Sequence, residues 1–268
     1  MPNYICVTCG VQYAESDSPP AHCIICEDDR QYVNPNGQSW TTLESLRRNH
    51  QNVFKPQEPG LIGIATEPKV AIGQRALLIR TPQGNVLWDC ISYLDEATID
   101  MIQALGGIQA IAISHPHFYD SMIEWSRAFD APIYLHASNQ EWVMRPDSAV
   151  HYWETETYTL QDGITLIRCG GHFPGSTALH WAAGAEGKGV LMTADTFMVV
   201  PDKRYVAFMY SFPNLVPLPP AVVEATAQTI EPFDFERMYS GWFEAIIPSG
   251  AKAAIQRSAE RYGRMVRD

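Results

Sequence analysis

Ile108-Gln109-Ala110-Ile111-Ala112-Ile113-Ser114-His115-Pro116-His117-Phe118-Tyr119-Asp120 is the stretch on which the reading of the chain turns. Ile108 to Ile113 is an apolar, isoleucine-rich run of strand length and reads as a buried strand ending at Ser114-His115. Ser121 to Phe129 then reads as a helix. In a loop that leaves a strand, His115 and His117 can turn two imidazoles toward one ion, and Asp120 can add a carboxylate oxygen. Two solvated loop histidines would look the same in isolation, so the rest of the chain has to decide.

Two further fragments bear on it. Gly170-Gly171-His172-Phe173-Pro174-Gly175-Ser176 puts a histidine in a tight turn after a strand ending at Cys169. Leu191-Met192-Thr193-Ala194-Asp195-Thr196 puts a carboxylate at the end of another apolar run. Loops at the ends of adjacent strands converge, so three imidazoles and one carboxylate make a transition-metal set.

The order HxH, GGHFPGS and TAD resembles the metal motifs of the metallo-β-lactamase superfamily, and Val86-Leu87-Trp88-Asp89 resembles its early strand ending in a structural aspartate. The resemblance covers about residues 60 to 268. It implies an α/β fold of the αββα sandwich type with metal at the sheet edge. It implies that His115, His117 and His172 are the three histidines of a first metal site, and that Asp195 is the carboxylate bridging two metals. The family's run continues with aspartate and histidine where this chain has Tyr119 and Asp120. Its last histidine follows a glycine near the C-terminus, where Gly241 is followed here by Trp242. These departures imply a degenerate second site. The larger domain then holds one zinc ion, or a second hard ion bound by oxygens of Asp120 and Asp195, and iron fits the same donors. The superfamily spans thioesterases, lactonases, phosphodiesterases, nucleases and redox enzymes, so the resemblance leaves the substrate open.

The N-terminus carries a second set. Cys6-x-x-Cys9-Gly10 and Cys23-x-x-Cys26 each present two thiolates to one point, and two such turns complete a tetrahedron. A module this small cannot bury enough apolar surface to fold alone, which calls for a metal staple. YICVTCGVQY followed by AHCIIC resembles zinc ribbons and the short rubredoxin-like domain of rubrerythrins. Ile24-Ile25 and Glu27 stand where that second family usually has proline and glycine, which favours structural zinc over iron. Residues 1–30 are read as the four-cysteine module, 31–56 as a connector and 57–268 as the metallo-β-lactamase-like domain.

The rest of the chain reads as short strands and helices. Leu61 to Ala65, Lys69 to Ile72, Ala76 to Arg80, Val86 to Trp88, Ile133 to Leu135, Ile164 to Arg168, Thr177 to Ala182 and Gly189 to Thr193 are expected strands. Helices are expected over Asp95 to Leu105, with Asp95 as N-cap and Gly106-Gly107 as the stop, and over Pro220 to Ile230 and Ser249 to Tyr262. Strands followed by helices, twice over, point to layered α/β with two sheets.

Composition narrows the function. The 268 residues are 46% apolar and 18% charged, which supports a sizeable core. Thirty acids against 19 bases give a net charge of -11, which disfavours a nucleic-acid partner. Prolines at 213, 217, 219 and 220 interrupt the longest apolar run, so no membrane span is expected. No secretory signal is visible, and four of the six cysteines sit in C-x-x-C pairs, so a reducing cytoplasmic location is expected. A small-molecule substrate is the expected partner, and a homo-oligomer is compatible with the sequence.

Other residues carry alternatives. His136 follows a strand and is either structural or an extra ligand. Tyr119 either packs or donates to a developing oxyanion. Trp242 with Phe243, and Phe208 to Leu218, wall a pocket or fill the core. His180, Cys90 and Cys169 read as buried structural residues. The leading expectation is a hydrolase acting with metal-activated water on an ester-like carbonyl or phosphoryl centre, with Asp120 orienting water or acting as base. A mononuclear non-haem iron redox enzyme and a non-catalytic metal-binding protein remain as alternatives.

Overall fold

A computed structural model describes residues 1–266. Two compact units divide the chain: Met1–Leu135 with Asn139–Tyr152, and His136–Ser138 with the chain from Trp153 onward.

The first unit begins with a small antiparallel sheet of β1 (Asn3–Cys6), β2 (Gln12–Glu15) and β3 (Trp40–Thr41), in the order β2-β1-β3. A larger sheet follows, built from β4 (Gln51–Glu58), β5 (Leu61–Glu67), β6 (Arg75–Ile79), β7 (Val86–Trp88), β8 (Ala110–Ala112), β9 (Ile133–His136) and β10 (Val150–Trp153). β4 to β7 run as an antiparallel meander, whereas β7, β8 and β9 are parallel. Parallel neighbours require crossovers, and the helices Glu96–Ala104 and Met122–Phe129 supply them. The consequence for function is geometric. The loops after β7 and β8 leave the sheet at the same edge, and these loops carry Asp89 and the His115-Pro116-His117 run.

The sequence explains the elements. β6 and β7 are buried along their whole lengths, as expected for central strands covered on both faces. Asp95 caps its helix, accepting the Thr98 amide at 2.8 Å. Met122, Ile123, Trp125 and Ser126 form the inward stripe of the second helix, and the Trp125 indole donates to the Ile91 carbonyl at 2.9 Å.

Two expectations change. The stretch read as a connector contains β3, which pairs with β1, and most of β4, the edge strand of the larger sheet. Gln51–Glu58 is polar because an edge strand is half-exposed, and Pro56 is tolerated there because an edge has N–H positions with no partner strand. Lys69 to Ile72, expected as a strand, is a turn closed by Gly73 N donating to Val70 O at 2.9 Å. Pro68 and Gly73 bracket it, and Ala71 takes a left-handed φ of 50°.

The second unit holds β11 (Thr157–Gln161), β12 (Ile164–Arg168), β13 (Thr177–Trp181) and β14 (Val190–Ala194). Two short ribbons follow, β15 (Met198–Val199) with β16 (Val206–Ala207) and β17 (Met209–Ser211) with β18 (Val216–Pro217). β19 (Arg237–Ser240) and β20 (Ile246–Ile247) complete a six-stranded sheet, β11-β12-β13-β14-β19-β20, antiparallel except at β14–β19. The helices Pro220–Thr229 and Ala251–Val266 bury Val223, Ala227, Ala251, Ala254 and Ile255 in one core with Ile167, Leu191 and Met238. The 3–4 spacing of the buried residues in the second helix is the inward stripe of an amphipathic helix. No helix among the described residues is long and apolar enough to cross a membrane.

The Asp95 cap gives a direct check on the first unit. Asp95→Ala removes the acceptor of the Thr98 amide and is expected to lower stability by about 1 kcal/mol, read from the urea midpoint at unchanged slope.

Candidate metal centres

The four N-terminal thiols converge. Cys6 ends β1, and the turn after it is closed by Gly10 N donating to Cys6 O at 2.9 Å. Cys23 N-caps the one-turn helix Ile24–Glu27, which contains Cys26. Cys6 Sγ lies 3.5 Å from Cys26 Sγ, and Cys9 Sγ lies 3.6 Å from Cys23 Sγ. These separations far exceed a disulfide bond of about 2.05 Å and approach the edge of about 3.8 Å of a tetrahedron with metal–sulfur bonds of about 2.3 Å. All four residues are buried, and Gln38 Nε2 donates to Cys6 Sγ at 3.2 Å. Hydrogen bonding with Cys23 lowers the Cys6 thiol and raises those of Cys9 and Cys26, and hydrogen bonding with Cys26 lowers that of Cys23. Four thiols this close cannot all ionise without a cation among them, and a tetrathiolate set suits zinc or iron. The donor set therefore fits a metal ion.

The second cluster is His115, His117, His172 and Asp195, all buried, whose ligand atoms lie within 4.8 Å of one another. Each is placed by its local backbone. Asp89, at the left-handed φ of 62° that ends β7, accepts the Ser114 amide at 2.8 Å and so fixes where the histidine loop leaves β8. Ser114 Oγ lies 3.0 Å from His115 Nδ1. His117 rides on the 3-10 turn Pro116–Phe118, its ring edge-on to His115 at 5.3 Å between centroids.

His172 sits in a turn that two left-handed glycines make feasible. At Gly171, φ is +78°, and a Cβ there would meet Thr226 Oγ1 at 3.0 Å and Leu218 at 3.2 Å. Phe173 N donates to Ser176 Oγ at 2.8 Å, and Cys169 N donates to Ser176 O at 2.7 Å, which locks the loop. His172 Nδ1 lies 3.2 Å from the Met209 carbonyl, so Nδ1 is the protonated nitrogen and Nε2 the one turned toward Asp195. Nε2 is 3.9 Å from Asp195 Oδ1, too long for a hydrogen bond but within the span of two donors about 2.0–2.1 Å from a shared ion. Asp195 follows β14 directly, after Ala194 at φ 48°. Three imidazoles and one carboxylate, buried and convergent, fit a transition-metal ion.

Asp120 is placed elsewhere. The sequence predicts it as a ligand or base near the histidines, yet it lies outside both clusters. Gln74 Nε2 donates to its Oδ2 at 2.6 Å, and its Oδ1 shares a short hydrogen bond with Ser92 Oγ. Ser92 Oγ also reaches the Gly10 carbonyl at 3.1 Å, and the Asp120 carbonyl accepts Gln12 N at 2.9 Å. This carboxylate is thus built into the underside of the cysteine knuckle. Gly10 has to be glycine: its φ is +85°, and a Cβ would collide with the Asp120 carboxylate and sit 2.6 Å from Ser92 Oγ.

The remaining expected residues make the following contacts. His136 stacks edge-on against Trp153 at 4.6 Å and accepts the Ser138 amide on Nδ1 at 3.1 Å, and burial lowers its pKa. The Tyr119 hydroxyl, pushed well above the ordinary phenol range by burial, donates to the Asn139 carbonyl at 3.5 Å. Trp242 is half-buried against the core of the second unit. Gln74 and Ser92 escape sequence reasoning; the only local signal is the glycine directly after Cys9.

The chain is 52% identical over 264 residues to the uncharacterized protein YmaE of Bacillus subtilis (strain 168), covering 98% of this chain and 96% of that protein. The chain belongs to the YmaE family. No family model matches it. Among solved structures it resembles DIM-1 metallo-β-lactamase exposed to ceftazidime, at TM-score 0.58 and 12% identity over 79% of this chain and 98% of the other. It also resembles a B3 metallo-β-lactamase with an active-site glutamic acid, at TM-score 0.53 and 18% identity, over 85% and 94%. A metallo-β-lactamase of Cronobacter sakazakii gives TM-score 0.51 and 19% identity, over 78% and 92%. The αββα fold of the metallo-β-lactamases, expected from the sequence, is the fold of this chain.

The burial of Asp120 has a pH signature. Burial pushes its pKa up to about 7, with the hydrogen bonds from Ser92 and Gln74 working in the opposite direction. An unfolded aspartate titrates near 3.9, so the unfolded chain loses its proton first as pH rises. The stability contributed by the protonated form is complete below about 4 and is lost as pH climbs through about 7. Asp120→Asn does not undergo this loss. Its stability relative to the parent chain is expected to rise between pH 5 and pH 8, measured by chemical denaturation at both; a gap independent of pH would contradict the assignment.

Proposed function

We propose that this protein is a metal-dependent hydrolase in which His115, His117, His172 and Asp195 hold a zinc ion, with a structural zinc on Cys6, Cys9, Cys23 and Cys26. The observation that carries the reading is the convergence of four buried ligand atoms within 4.8 Å. A zinc ion held by such a set supplies Lewis acidity and lowers the pKa of water to about 7, which is the chemistry of metal-assisted hydrolysis.

The residues of the chain do the positioning. Ser114 and the Met209 carbonyl hold the His115 and His172 rings through their Nδ1 atoms, which leaves Nε2 of each to the ion. Asp195 brings the one carboxylate of the set, offsetting the charge of a divalent ion and accepting a hydrogen bond from a reacting water. The family's second histidine set has no counterpart at Tyr119, Asp120 and Trp242, and Asp120 is committed to Ser92 and Gln74, so the reading is for a single ion in the larger domain. The substrate is a small molecule with an ester-like centre: a carboxylic ester, lactone, thioester or phosphodiester. The neighbouring metallo-β-lactamases support hydrolysis as the reaction class. Six free cysteines, four of them in C-x-x-C pairs, favour a reducing, cytoplasmic setting.

Element-resolved metal analysis of the whole chain tests the reading together with turnover on generic esters and phosphodiesters. His115→Ala and His172→Ala are each expected to lose one ion per chain and at least about a hundredfold in kcat/KM, while the ion of the four cysteines remains. Turnover that survives metal removal would reject the scheme. A reddish protein with iron at the histidine cluster would move the reading to redox chemistry.

A further inference from the structure

We propose that Asp120 is a positioning residue that ties the histidine loop to the cysteine knuckle, so that the ion held by the knuckle sets the affinity of His115 and His117 for theirs. The proposal rests on reading both clusters as metal sites, and it adds a dependence of one on the other.

The loop is pinned at two points. On its upstream side the Ser114 amide donates to Asp89 at 2.8 Å, one residue before His115. On its downstream side Asp120, three residues after His117, holds Ser92 and Gln74 with its carboxyl and Gln12 N with its carbonyl. Ser92 extends the link to the carbonyl of Gly10, the residue next to Cys9. Asp120 itself is left-handed at φ 44°, which commits its backbone to this placement. A second tie runs beside it: Arg145 bridges Gln12 and Glu124, and Ala14 N donates to Met144 O at 3.2 Å. The two histidines are therefore suspended between Asp89 and a pin whose far end is a metal-binding turn.

Proton counting defines the link further. The Ser92 hydroxyl has one hydrogen and faces two acceptors, the Gly10 carbonyl and Asp120 Oδ1. Both contacts are satisfied when Asp120 is protonated and donates to Ser92, which then donates to Gly10. Asparagine reproduces that pattern, its amide donating to Ser92 and its oxygen accepting from Gln74. Alanine reproduces none of it and leaves buried polar groups without partners.

Cobalt titration of the full-length chain tests the dependence, because thiolate-bound cobalt absorbs strongly in the near ultraviolet and imidazole-bound cobalt weakly in the visible. Cys9→Ser and Asp120→Ala are each expected to weaken cobalt binding at the histidine cluster about tenfold, and the double variant to be no weaker than the worse single one. Asp120→Asn is expected to stay within about twofold of the parent. Cys9→Ser binding within about twofold of the parent, or a double variant equal to the product of the singles, would overturn the proposal. Should Cys9→Ser fail to fold, Ser92→Ala serves instead: weakened visible-band affinity with the thiolate band retained supports the link, and unchanged affinity overturns it. A chain that shows the dependence yet hydrolyses no ester supports the link and removes the hydrolase reading alone.

Discussion

The hydrogen bond from the Ser114 amide to Asp89 governs the histidine half of the first unit. β7 and β8 are parallel, so the chain leaves both at one edge, and a carboxylate at the end of the first strand can hold the start of the loop after the second. The Asp89 amide donates in turn to the Ala112 carbonyl at 2.9 Å, so the residue is bonded to β8 on both sides of the strand end. Its left-handed backbone costs local strain, which the two hydrogen bonds offset. His115, His117 and the turn between them inherit their direction from this arrangement.

The N-terminal segment uses a different kind of constraint. In one apolar cluster, Ile5 and Leu46 pack with Tyr93, flanked by Leu43 and Val70. Only Ile5 of these lies on the first sheet; Leu43 and Leu46 belong to the helical turn after β3, and Tyr93 and Val70 come from loops of the larger sheet, so the segment borrows part of its core from those loops. Polar contacts at Gly10, Gln12 and Ala14 add to it, and the four convergent thiols offer a set that a metal ion would staple.

Much of this is legible in the sequence, for reasons that are local. A His-x-His run after an isoleucine strand, a Gly-Gly-His turn and an aspartate ending an apolar run each announce themselves within a few residues, and the structure brings their four side chains together. The same holds for the Asp95 cap and the Cys-x-x-Cys turns. The role of Asp120 is not legible, because its partners are Gln74, Ser92 and Gly10, separated from it by long stretches of chain that no periodicity links. β4 and β10 escape notice because edge strands are half-exposed and lack a continuous apolar run. β19, RMYS, is buried yet too short and mixed in composition to signal a strand.

The link from Gly10 through Ser92 to Asp120 also joins two scales of chain separation. All four thiols lie within Cys6 to Cys26, so they come together by closing a loop of modest length. The seat of that turn consists of Gln74, Ser92 and Asp120, residues that strands and a crossover helix separate along the chain. The turn is therefore local in its thiols and long-range in its seat, because Ser92 joins Gly10 to Asp120 across 82 and 28 residues of chain.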